Sequence, residues 1–129
     1  GLETVQAPDI RERYLIASFD GKDYALQMGG VERVVPNPTT SAWEGRGEVR
    51  AYAQVAGWIV WLLDPGKLFV DHDHTVAKGE WLLILKDELG LTRLGCLADD
   101  VRGPVSESRL HQIKRLHRRS LNALVEPRG

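Results

Sequence analysis

The run Val55-Ala56-Gly57-Trp58-Ile59-Val60-Trp61-Leu62-Leu63 constrains this chain more than any other stretch. Just before it, Val49, Ala51, Ala53 and Val55 alternate with Arg50, Tyr52 and Gln54, the pattern of a half-buried strand. Ala56-Gly57 supplies a turn, and residues 58 to 63 run back with apolar side chains on both faces: Trp58, Val60 and Leu62 against Ile59, Trp61 and Leu63. A strand of that kind must be covered on both sides. The run falls far short of the roughly 20 apolar residues a membrane helix needs. The Asp64-Pro65-Gly66-Lys67 that follows is not a phosphate loop, because Pro65 removes one N–H and Leu68, not Ser or Thr, follows the lysine. Asp64-Pro65 instead predicts an N-cap and a first-turn proline opening a short helix through Phe69.

The rest of the chain is organised around turns. Residues 14–19 and 23–28 read as strands joined by Asp20-Gly21, a strong hairpin signal. After Gly29-Gly30, residues 31–35 form a short element, and 36–47 read as loop, with Trp43 its one large apolar residue. Strands are expected at 80–86 and 91–98, and residues 99–105 close the β region. From Ser106 to about Val125 the period becomes helical, with Leu110, Ile113, Leu116 (or His117), Leu121 and Leu124 as the apolar stripe. The expectation is a mainly β body over residues 14–105, with a basic amphipathic helix and tail over 106–129 packed on it.

Little here suggests chemistry. Asp71-His72-Asp73-His74 mixes metal-ligand types, but with no third or fourth ligand indicated it reads as a solvated polar loop. Neither Ser41 nor Ser120 sits in a strand-to-helix elbow. No enzyme, no metal and no cofactor are therefore expected. Cys96 is the single cysteine and lies in an apolar stretch, so it reads as a buried, inert thiol in a fold that does not depend on oxidation. Gly1 to Asp9 has neither a basic start nor an apolar run, so no signal peptide is expected.

The formal net charge is −1, but Arg109, Lys114, Arg115, Arg118 and Arg119 cluster with no acidic residue among them. Such a basic helix face suits phosphates, and a nucleic-acid-binding module is the alternative reading. No aromatic residue is interleaved for base stacking, which favours a solvated face or one that meets an acidic protein partner. Trp58, Trp61 and Trp81 read as core, and Trp43 as an exposed anchor for a partner.

Taken in order, RYLIASFDGKDYALQ, GGVERVV, AYAQVAGWIVWLLDPGKLF and EWLLIL…LTRLGCLADDVRGPVSESRLHQI resemble the CheW-like domain of bacterial chemosensory adaptors. The likeness covers residues 14 to about 113. It implies two small, intertwined five-stranded SH3-like β-barrels around a continuous core, with strand 57–63 where the barrels meet. It also implies a non-catalytic cytoplasmic adaptor that binds chemoreceptor tips, the regulatory domain of a histidine kinase, or both. The receptor groove carried over by this resemblance is lined by Val31, Val34, Ala51, Val55, Ala56 and Gly57. One departure stands out: the family pattern Asn-Leu-Arg-Gly is replaced by Gln54-Val55-Ala56-Gly57, so an arginine important for coupling becomes Ala56. A charge-assisted donor is thereby lost from the turn.

Overall fold

The computed structural model describes residues 13–45, 47–72, 79–87, 90 and 92–119. Ten strands follow in order: β1 (Arg13–Phe19), β2 (Lys22–Gln27), β3 (Val31–Pro36), β4 (Thr40–Ala42), β5 (Val49–Val55), β6 (Trp58–Leu63), β7 (Trp81–Leu85), β8 (Arg93–Ala98), β9 (Asp100–Ser106) and β10 (Lys114–Arg115). One helical turn, α1 (Pro65–Leu68), follows β6. The hairpins fall where the turn residues require them. Asp20-Gly21 and Ala56-Gly57 both hold positive φ, 51° and 79° for the first pair and 50° and 82° for the second. Two successive left-handed residues match the natural twist of a two-residue hairpin.

The strands pair into a four-stranded sheet, β10-β2-β1-β9, and a six-stranded sheet, β3-β7-β8-β6-β5-β4. The division is therefore four and six, and no pairing among the described residues closes either sheet into a barrel. β4 lies inside the stretch that composition marks as loop. Its three residues are exposed, so it carries no hydrophobic alternation, and only pairing with β5 reveals it.

Apolar side chains fall into three layers. The largest lies between the sheets, with Phe19, Tyr24 and Leu26 from the smaller sheet meeting Leu63, Leu83, Leu85, Leu94 and Cys96 from the larger. Leu68 and Phe69 at the end of α1 fill the same layer. A second cluster, Ala53, Val60, Leu62, Leu82 and Ile84, covers the other face of the larger sheet. A third, Tyr14, Ile16, Ala25 and Leu110, covers the outer face of the smaller one. β6 thus has Trp61 and Leu63 against one layer and Val60 and Leu62 in another, as its two-faced apolar pattern requires. β7 does the same with Leu83 and Leu85 against Leu82 and Ile84. Double burial stops short at the start of β6: Trp58 and Ile59 are 57% and 45% exposed.

The expected C-terminal helix is absent over residues 106–119. Ser106 ends β9, residues 107–109 make a single 3-10 turn, and His111 takes a left-handed φ of 50°, which stops helical propagation. The chain then runs as an extended strap. β10 pairs in parallel with the free edge of β2, and the Leu116 N–H donates to the Ala25 carbonyl at 2.9 Å. Phe69 and Arg118 form an antiparallel bridge. Leu110 and Leu116, one helical stripe by spacing, enter different layers of the core. The period misleads because edge pairing and two separate apolar sites outweigh a weak helical preference. Residues 120–125 of the expected helix lie outside the described residues.

Candidate functional site: a docking surface at the β5–β6 hairpin

The expected groove residues do not all converge. Val31 and Val34 pack against the layer between the sheets, whereas Ala51 and Val55 pack against the second cluster. What joins β3 to the hairpin is a pocket lined by Glu32, Arg33, Val55, Ala56, Trp58 and Arg93. β3 therefore reaches the turn through its charged residues. Gly57 is exposed beside Ala56 at the tip. A neighbouring pocket, lined by Glu32, Trp58, Ile59, Lys86, Asp87 and Arg93 among others, shares three of these residues.

Trp58 and Arg93 are the centre of this surface. The guanidinium carbon of Arg93 stands 3.9 Å from the Trp58 ring centroid, a cation–π contact. The same side chain donates from Nη2 to Glu32 Oε1 at 3.2 Å. The parallel register places Val60 opposite Arg93, so Trp58, two residues earlier on the same face, projects beside it. Reading Trp58 as core missed this. The signal available was position: Trp58 is the first residue after a turn, where a hairpin can extend past its sheet. Arg93 had no sequence signal at all, since only the β6–β8 crossover brings it near.

Trp43, the expected anchor, is 41% exposed. It packs on Trp61 and Tyr52, with ring centroids 5.0 and 6.3 Å away. It is thus the outer member of an aromatic trio and lines neither hairpin pocket. Trp61 and Trp81 are half-buried, packed against the layer between the sheets.

The basic residues do not share a helix face, because the segment that carries them is a 3-10 turn and an extended strap. Arg115 pairs with Glu107 at 2.7 Å and lies over the Tyr14 ring. The Glu107 carboxylate and the bond it accepts push the Arg115 guanidinium further toward its charged form. Arg118 donates to the carbonyls of Lys86 and Gly30, and Arg119 to that of Gly66 at 3.2 Å. Lys114 belongs to β10, and Arg109 is exposed on the 3-10 turn. Arg118 and Arg119, with Arg115 over Tyr14, tie the strap to the sheets, and the cavity beside it, lined by Tyr14, Val31, Phe69, Arg115 and Arg118 among others, is a seam of that attachment.

His72 is also placed otherwise than expected. It is buried, edge-on to Phe19 at 4.7 Å and stacked on Tyr24 at 5.0 Å, so it is a core residue and not part of a solvated loop. Asp73 and His74 lie outside the described residues. Among the described residues no cluster of three or more His, Cys, Asp or Glu could hold a metal. Cys96 is fully buried, and that burial pushes its thiol up to about 12, so it stays protonated at neutral pH. No helix among the described residues is long and apolar enough to cross a membrane.

The fold is similar to the crystal structure of the scaffolding protein TtCheW from Thermoanaerobacter tengcongensis. The TM-score is 0.54 at 19% sequence identity, covering 76% of this chain and 68% of that one. The likeness shows a CheW-like fold. No protein-family model matches the sequence, and no curated protein matches it.

Proposed function

We propose that this chain is a non-catalytic scaffold or adaptor domain that works by docking, in a bacterial chemosensory or related signalling array. The observation that carries the reading is the hairpin tip: Trp58 and Ile59, one on each face at the start of β6, are both exposed, and two pockets with charged rims meet at Trp58. Large apolar side chains beside polar rims are the anatomy of a protein-binding surface. The CheW-like fold supports the same class of role, and a scaffolding protein shares it.

In this reading the partners are the cytoplasmic tip of a chemoreceptor and the regulatory domain of a histidine kinase, met in the cytoplasm beside membrane-bound receptors. Val55, Ala56 and Gly57 form the rim of the docking site, and Val31, Val34 and Ala51 hold its two walls in place. Trp43 and its aromatic neighbours provide a separate contact. With alanine at position 56 the turn offers only a methyl group, so coupling to a standard kinase is weaker than an arginine there would give.

The test is reconstitution with receptor tip fragments and kinase, measuring binding and kinase stimulation. Val55→Asp should abolish receptor binding, and Ala56→Arg should raise stimulation. Full stimulation by the wild type, unchanged by both substitutions, sinks the proposal. Strong binding to DNA or RNA that collapses as salt rises would support the nucleic-acid alternative instead.

A further inference from the structure

We propose that the Trp58 surface recognises an acidic segment of a partner protein, with Arg93 as the receptor for a carboxylate; this rests on the docking reading and gives it a chemistry. A guanidinium carries five N–H donors. Among the described residues, Arg93 uses its Nη2 on Glu32 and stacks on Trp58. The stacking fixes the plane of the fork before any partner arrives, so little side-chain freedom is lost on binding. Arg93 and Glu32 have side chains 29% and 38% exposed, and their single contact is long for a charged pair. Such a pair is weak and uses a single N–H, so the remaining donors of the fork are open to an incoming carboxylate without displacing Glu32.

The surrounding charge has the sign that selects this occupant. Arg33 and Lys86 line the two pockets, and among the described residues neither meets a carboxylate. Asp87 is already engaged, accepting the Thr92 N–H at 2.7 Å. Together the two pockets carry Arg33, Lys86 and Arg93 against Glu32 and Asp87, an excess of one positive charge at the surface. It is not a phosphate track, because Glu32 and Asp87 stand within it and Arg93 covers a face of Trp58 that a base would need. The partner segment then carries a carboxylate for Arg93 and, next to it, an apolar side chain that lies against Trp58.

The experiment uses the full chain, isotopically labelled, with the Trp58 indole N–H and the Arg93 side chain followed by NMR. Two synthetic peptides are titrated, one alternating Glu and Leu and one with Gln for every Glu. The Glu peptide should move both signals, and Arg93→Gln should weaken it about tenfold, as loss of a charged hydrogen bond does. Arg93→Glu should instead prefer a Lys-Leu peptide, and unchanged core signals show that each variant folds. If the Gln peptide binds as well and Arg93→Gln changes nothing, acidic recognition is wrong while docking at the hairpin survives. If no peptide moves Trp58, Ile59 or Val55, both readings fall. Concentration-dependent shifts without peptide, or shifts on adding duplex DNA, would replace the acidic segment with a second copy or a nucleic acid and overturn the proposal.

Discussion

Ala56 holds a left-handed φ of 50° at the hairpin tip, a conformation its Cβ disfavours. Asparagine tolerates that region far better, so Ala56→Asn should stabilise the fold by about 0.5–1 kcal/mol, read as a rise in the denaturant midpoint at constant slope. Asp23 makes a different kind of residue-scale prediction. The Ser18 hydroxyl donates to its carboxylate and Arg102 Nη2 donates at 2.8 Å, and together they hold its pKa below the usual value. A carboxyl with a lowered folded pKa contributes stability above its unfolded pKa and loses it as pH falls through the folded one. Wild type should therefore weaken on acidification below about pH 4, and Asp23→Asn should show a shallower loss when unfolding is followed from pH 7 to pH 2. An equal loss in the variant would assign the acid sensitivity to other groups.

At the scale of elements, the strap and the β7–β8 pair give the sharpest tests. If residues 106–119 were helical, glycine at position 111 would cost about 1 kcal/mol. In the strap His111 is left-handed, so His111→Gly should leave stability unchanged or raise it. Leu116→Ala should cost about 2–4 kcal/mol, because its side chain sits in the layer between the sheets. Within β8, a Cβ on Gly95 would stand 2.4 Å from the Leu83 carbonyl oxygen, and backbone cannot yield as a flexible side chain can. Gly95→Ala should destabilise by about 1–3 kcal/mol in chemical denaturation, although alanine is the better strand residue by entropy.

The whole molecule should unfold as one unit. The layer between the sheets takes side chains from β1, β2, β6, α1, β7, β8 and the strap, so neither sheet keeps its core without the other. Tryptophan fluorescence reports mainly the larger sheet, where all four tryptophans lie at or beside its strands. Far-UV circular dichroism reports both sheets. Their denaturant transitions should coincide, and Phe69→Ala should shift both together by the same midpoint change. Separated transitions would mean that the two sheets are independent folding units.

Turn chemistry and local alternation were enough to locate most strands. Asp20-Gly21 and Ala56-Gly57 mark hairpins because paired left-handed residues have few other uses, and residues 49–55 and 58–63 match β5 and β6. The two-faced pattern of β6 likewise demands cover on both sides, which it has over residues 60–63. What local pattern could not supply was anything set by pairing at a distance. β4 exists because β5 offers it an edge, and the strap is extended because β2 offers another. The proposed docking surface belongs to the same class. Trp58 looks like core in the sequence, and Arg93 looks like an ordinary charge at the start of a strand. They meet because β8 inserts beside β6 in parallel, a crossover that periodicity cannot encode. Sequence spacing dictates which face of an element a side chain takes; only the packed sheets decide what stands opposite that face.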